Sequence, residues 1–271
     1  MREKSRRAPW YGFAMKTFHR DGVRLCYEES SLAGVNAAPI VFVHGWCCDH
    51  RYFAPQFGHF SARHHVVSVD QRGFGASDKP EQKYTIEGFA DDLAWLCREL
   101  RLEKPAIVGH SMGGAIALAV AARHPSLPRA IALCDPAVFF PDFMRAAIEP
   151  FVAALGTPGY KQAAAGFVEQ RLFGANDSPL LRARTVAEMC ETPQHVMRSA
   201  FENLIEFDSE SAARACKVPV LLIDAESPIP DRARFREHCP QLVVAQTAGA
   251  GHFHQLEVPD QVNAMLERFL R

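Results

Sequence analysis

An apolar run, Ala106 to Val108, stops at Gly109-His110-Ser111-Met112-Gly113 and gives way to an alanine-rich stretch from Ala115 to Ala122. The first has the composition of a buried parallel strand and the second that of a helix. The stretch between them fits G-x-S-x-G, in which the serine occupies a strained strand-to-helix turn and a side chain at either flanking position would clash. Ser111 is then presented at the carboxyl edge of a sheet, beside helix N-terminal amides that favour developing negative charge. Five residues alone also fit an ordinary tight turn. The strand before, the helix after and Gly114 following favour the activated serine.

At 271 residues and 48% hydrophobic, the chain can bury a large core, and one domain with an inserted cap is expected rather than two independent domains. The net charge of −1 provides no basic excess, so neither a nucleic acid nor an anionic membrane is expected as a partner. The eight cysteines form no C-x-x-C pair and several sit in apolar strand or helix patterns, as reduced core residues of a cytoplasmic protein would. No stretch approaches a transmembrane span, and the basic residues from Met1 to Pro9 have no apolar segment behind them, so no secretory signal is expected. Residues 1–14 read as an extension ahead of the first hairpin or as a mis-called start, with Trp10, Tyr11 and Phe13 free to pack against the rest.

From there the pattern is regular. Lys16 to Phe18 and Val23 to Glu28 flank an Asp21-Gly22 hairpin turn. Pro39 to Val43 is a continuous apolar strand ending at His44-Gly45-Trp46-Cys47, where a glycine lets the backbone turn and leaves the next amide pointing outward. In a hydrolase that amide, Trp46 N–H, would pair with Met112 N–H to hold an oxyanion. Val66 to Asp70 is the next strand, followed by a glycine-punctuated loop, Gln71 to Asp78, whose role reads as structural, Asp70 and Arg72 included. Ile86, Phe89, Ala90, Leu93, Leu96, Cys97 and Leu100 recur at helical spacing. Strand, loop, strand, helix, strand, serine, helix is a doubly wound α/β order, in which ligands collect at the strands' carboxyl ends. Later strands are expected at Ala130 to Cys134, Val218 to Ile223 and Leu242 to Gln246, with a closing helix from Gln255 to Leu270.

Between residues 137 and 214 the strand pattern disappears and phenylalanines and methionines lie among helix formers, which predicts a helical cap. The core is then 15–136 together with 215–271. Most of the cap's aromatic side chains are expected to pack its helices onto the core. Phe139 and Phe140, with Trp46 and His110, are candidates for lining an apolar substrate pocket.

His44-Gly45-Trp46, Asp70 to Ser77, Gly109 to Gly114 and Gly251-His252-Phe253 together resemble the α/β-hydrolase fold across nearly the whole chain. The resemblance implies a doubly wound, mostly parallel eight-stranded sheet with an inserted helical cap. It also implies a late histidine, which Gly249-Ala250-Gly251-His252 supplies, with His254 as the rival. A histidine whose free pKa is about 6.5 suits the task of taking the serine proton at neutral pH. The acid is where this chain departs from the common pattern. After the seventh strand, where an aspartate usually follows a glycine, the sequence reads Asp224-Ala225-Glu226-Ser227-Pro228. Asp135, at the end of the sixth strand and beside the serine in the fold's strand order, is the leading candidate, and Glu226 or Asp224 the alternative. Either would fix the histidine tautomer and stabilise imidazolium.

The fold hosts esterases, lactonases, carbon-carbon hydrolases, dehalogenases, epoxide hydrolases and a few oxygenases. A serine at position 111 points away from the aspartate-nucleophile branches and toward acyl transfer to water, with a small, fairly apolar ester or lactone as substrate. Two other readings stay open: a cofactor-independent ring-cleaving dioxygenase using the histidine-acid dyad, and a ligand receptor of the same fold. No cofactor or metal is expected. There is no dinucleotide or P-loop glycine pattern, the scattered histidines have no ligand spacing, and Cys47-Cys48 has no assigned base. The oligomeric state is left open.

Overall fold

The computed structural model describes residues 14–30 and 37–271. The reading of Trp10, Tyr11 and Phe13 as packing groups lies outside them. Eight strands form one sheet in the order β1-β2-β4-β3-β5-β6-β7-β8, with β1 (Lys16–Arg20), β2 (Val23–Ser30), β3 (Ile40–Val43), β4 (Val66–Asp70), β5 (Ala106–His110), β6 (Ala130–Cys134), β7 (Val220–Asp224) and β8 (Leu242–Gln246). The first hairpin is antiparallel and closes on Asp21 and Gly22, both at positive φ, as a tight two-residue turn requires. β2 joins β4 antiparallel, and every later pairing is parallel.

Alternation along the buried strands sorts side chains to two faces. Val41, Val67, Ile107, Ile131, Leu133 and Leu222 face the larger core with helices α2 (Ile86–Glu99), α3 (Met112–Arg123), α8 (Ser209–Ala215) and α9 (Arg232–His238). Ile40, Phe42, Val66, Val108, Ala132 and Ile223 face a smaller one, closed by α1 (Ala54–Phe60) and α11 (Pro259–Phe269). α2 starts at Thr85, whose hydroxyl caps the Gly88 amide, and buries the apolar stripe read from its spacing. α3 is alanine-rich because it is enclosed, with its residues from Met112 to Ala121 all buried.

The cap consists of α4 (Asp142–Leu155), α5 (Tyr160–Arg171), α6 (Pro179–Met189) and α7 (Gln194–Glu206), which pack on one another. α8, read from sequence as the end of the cap, packs instead on α3 and α9 and belongs with the core layer. The single closing helix expected from Gln255 to Leu270 is divided into α10 (His254–Glu257) and α11. Pro259 has no amide hydrogen to bond the Gln255 carbonyl four residues back, and Gln56 Nε2 donates to that carbonyl instead, at 2.9 Å.

Candidate active site

β5 runs into α3 through Ser111, which sits at φ 53°, ψ −119°, a conformation that a residue with a side chain adopts only under constraint. The constraint is visible. Ser111 N–H donates to the Cys134 carbonyl at 3.0 Å, and its own carbonyl accepts from Gly114 and Ala137 amides at 2.9 and 3.1 Å. The flanking glycines are required by close approach: a Cβ on Gly109 would lie 2.1 Å from the Gly113 carbonyl oxygen, and one on Gly113 would lie 2.0 Å from that of Val43.

Asp135 follows β6 in the adjacent position, at φ 39°, with its amide tied to the Ile223 carbonyl at 2.8 Å. His252 arrives on the loop after β8. Its Nδ1–H donates to Asp135 Oδ2 at 2.6 Å, and Oδ1 of the same carboxylate accepts from Ile229 N–H at 3.1 Å. That bond leaves the lone pair of Nε2 as the ring's basic site. Burial pushes the imidazolium down to about 3 and the Asp135 carboxyl up to about 6. Both shifts arise from desolvation of the charged form, so the imidazole is neutral and able to accept a proton.

The rivals are elsewhere. Glu226 is exposed, and among the described residues only its backbone is engaged, the amide donating to Ala250 O at 3.0 Å and the carbonyl accepting from Gln246 Nε2 at 3.4 Å. The residue turns outward after β7 while Asp135 fills the position beside His252, so Glu226 as alternative acid is corrected. Asp224 is buried in an ion pair with Arg232. His254 is fully buried against Thr247 Oγ1 at 3.0 Å.

Trp46 and Met112, the expected oxyanion donors, flank the serine from two sides. The loop after β3 passes so close that a Cβ on Gly45 would lie 3.2 Å from Ser111 Cβ, and Met112 opens α3, where first-turn amides have no intrahelical acceptor. Neither amide donates to a group among the described residues.

Ser111 and His252 line a cavity of about 640 Å³ between core and cap. Trp46, Phe140, Met144, Ile148, Phe151, Phe167, Phe201 and Phe253 contribute apolar side chains to its wall, while Gln162, Gln170 and Arg171 contribute polar groups from α5. Trp46 also docks the cap, with its indole Nε1–H donating to the Met197 carbonyl at 2.8 Å. His110 is among the residues lining the cavity. Its Nε2–H donates to the His252 carbonyl at 2.9 Å, and burial keeps the ring neutral. Phe139 does not line it. At φ 50° its ring is directed onto Phe235, with centroids 4.5 Å apart, so this expected pocket residue is a packing residue.

Asp70 and Arg72 are structural groups. Asp70 accepts from His50 N–H, His50 Nδ1 and Ala76 N–H, and Arg72 is held by Asp92 through two bonds of 2.8 Å. Asp49, His50 and Asp70 lie close enough to suggest a metal site, but both Asp70 oxygens are already engaged and Asp49 binds Arg51. Cys47 and Cys48 are buried, and desolvation pushes both thiols well above their ordinary range, which disfavours the thiolate form a nucleophile needs. Sequence reasoning missed Asp177, whose Oδ1 accepts from the Gly251 amide at 2.9 Å.

Residues 38–259 match the family model for the alpha/beta hydrolase fold. The chain is 28% identical over 245 residues to the AB hydrolase superfamily protein YisY of Bacillus subtilis (strain 168), covering 85% of this chain and 91% of that protein. It is 25% identical over 244 residues to 3-oxoadipate enol-lactonase 1 of Acinetobacter baylyi (strain ATCC 33305 / BD413 / ADP1), covering 87% and 90%. The crystal structure of the enol-lactonase from Burkholderia xenovorans LB400 superposes with a TM-score of 0.84 at 25% identity, covering 94% of this chain and 99% of that one. With the sheet order, the serine turn and the late histidine on the same scaffold, this chain belongs to the alpha/beta hydrolase fold family.

Proposed function

We propose that the protein is a serine-dependent hydrolase of a small, fairly apolar carboxylic ester or lactone, acting through an acyl-serine intermediate. The observation that carries this reading is the 2.6 Å bond from His252 Nδ1 to Asp135 beside a cavity that Ser111 and His252 share. In this reading His252 Nε2 takes the Ser111 proton as Oγ attacks the substrate carbonyl. Trp46 and Met112 amides receive the oxyanion, each contributing about a hundredfold to a thousandfold in rate. His252 then passes its proton to the departing alcohol and activates water to release the acid. Asp135 fixes the Nδ1–H tautomer and stabilises the imidazolium without taking the proton.

The largely apolar wall supports an acyl or aromatic substituent, and the volume of about 640 Å³ supports a small molecule. The names of one relative and one structural neighbour as enol-lactonases support a lactone among the candidates. The free cysteines, seven of them buried, support a reducing, cytoplasmic setting. Among the described residues no helix is long and apolar enough to cross a membrane.

Labelling with a fluorophosphonate, read by peptide mass spectrometry alongside turnover of nitrophenyl esters and lactones, tests the reading. Stoichiometric modification of Ser111 that His252→Ala suppresses is expected. Absence of labelling in folded protein would sink it. The cofactor-independent dioxygenase reading draws on the same His252–Asp135 pair and differs in one outcome: there Ser111→Ala would leave substantial oxygen uptake with aromatic heterocycles.

A further inference from the structure

Asp177 lies between α5 and α6 of the cap and is 4% exposed, yet both its oxygens serve backbone amides. Oδ2 accepts from Gly174 N–H at 2.7 Å, closing the residue's own turn. Oδ1 accepts from Gly251 N–H at 2.9 Å, crossing to the loop that carries His252. Beside this bond, the His252 amide itself donates to the Leu172 carbonyl of the same cap segment at 3.2 Å. From the core side, His110 Nε2–H holds the His252 carbonyl at 2.9 Å. The backbone on both sides of the His252 Cα is therefore gripped, twice by the cap and once by the residue preceding the serine.

The fit is close. A Cβ on Gly251 would lie 2.4 Å from Asp177 Oδ2 and 2.6 Å from the Gly174 nitrogen. Gly251 is therefore a glycine because the cap segment packs directly against it.

We infer that Asp177 is a positioning residue for His252: a cap-borne carboxylate that keeps the base in register with Ser111 only while the cap is seated. This inference rests on the serine-hydrolase reading. Removing the acceptor leaves the Gly251 amide unpartnered in a buried place, so the loop moves to find another. The His252 ring moves with it, away from the 2.6 Å bond to Asp135. Asp177 bonds two backbone amides and does not line the cavity, so the loss falls on turnover and not on substrate affinity.

The test is Asp177→Ala, which removes both acceptors. Below the variant's own melting temperature, kcat and the rate of Ser111 labelling should fall about tenfold to a hundredfold, as misplacement near 1 Å does, with KM unchanged. The low-field proton resonance of His252 Nδ1–H should shift or broaden. Gly251→Ala, which wedges the two segments apart, should do the same and serves if Asp177→Ala does not fold. Glu257→Ala cuts a neighbouring tie, the 2.8 Å bond from Ser178 N–H to Glu257 Oε1, without touching the amides at 251 and 252. It should lower the melting temperature alone. Wild-type kcat and resonance in Asp177→Ala, or an equal loss in Glu257→Ala, overturns the inference. Failure of the wild-type protein to react with the fluorophosphonate overturns the hydrolase reading instead, and the resonance then decides the role of Asp177.

Discussion

The carboxyl edge of the sheet and the inner wall of the cap enclose the same cavity by opposite physical means. At the edge, Ser111, Asp135 and His252 are fixed by directional bonds of 2.6 to 3.2 Å to backbone and carboxylate groups. On the cap side, Trp46, Phe151, Phe167 and Phe201 touch through ring faces and edges at centroid distances of 4.2 to 6.3 Å. A hydrogen bond weakens steeply once its angle is lost, whereas dispersion contacts are many, individually small and forgiving of sliding. The edge therefore suits chemistry that tolerates little displacement, and the aromatic wall suits accommodation of substrate.

The sharpest way to break this contrast is Ser111→Ala, expected to reduce ester turnover about a millionfold, the scale found when a nucleophile of this kind is removed. Ligand binding to the cavity, followed by calorimetry, should persist. Asp135→Asn should lower kcat about ten-thousandfold by disfavouring the Nδ1–H tautomer, while the fold measured by circular dichroism is retained. In the pH profile, the base works deprotonated, so activity is present on the high-pH side and lost as the pH falls. Burial depresses His252 to about 3 and raises Asp135 to about 6, so the acid limb of kcat/KM should lie below the ordinary histidine value of about 6.5 and belong to the pair. A limb centred above that value would contradict the burial argument.

Smaller effects are expected across the cavity. Phe151→Leu removes a ring stacked on Phe167 at 4.2 Å and should raise KM for apolar esters about tenfold with kcat nearly constant. A kcat loss there would blur the division between the two regions. Glu226→Gln, at an exposed position, should change neither constant in steady-state assays.

What could be read from the chain follows the same division. The elbow was legible because backbone proximity demands glycine at 109 and 113, and such a demand is written in the residue type itself. The first hairpin and the α2 stripe were legible for a similar local reason. Asp135 needed strand order in addition, since only the adjacency of β5 and β6 brings it beside the serine. Glu226 and Asp135 are both acids at strand ends, and the direction of a turn after a strand is not encoded in that fact. Phe139 was misread because a positive φ turns its ring from the cavity onto Phe235. α8 is short and amphipathic, as a cap helix could be, and only its contacts with α3 and α9 place it in the core. The link from Asp177 to the His252 loop carried no local signal, because the Gly251 amide it reaches is 74 residues away.

Trp46 joins the two regions within one residue, its backbone in the loop beside the serine and its indole bonded to the cap at Met197. Of the three tryptophans, Trp95 lies on α2 against Phe18, remote from the cavity wall, and Trp10 precedes the described residues. The buried Trp46 indole, whose environment changes when the cavity fills or the cap lifts, is thus a native optical reporter. A Trp10→Phe, Trp95→Phe background would let its emission follow substrate entry and cap motion in a stopped-flow trace, without an added dye.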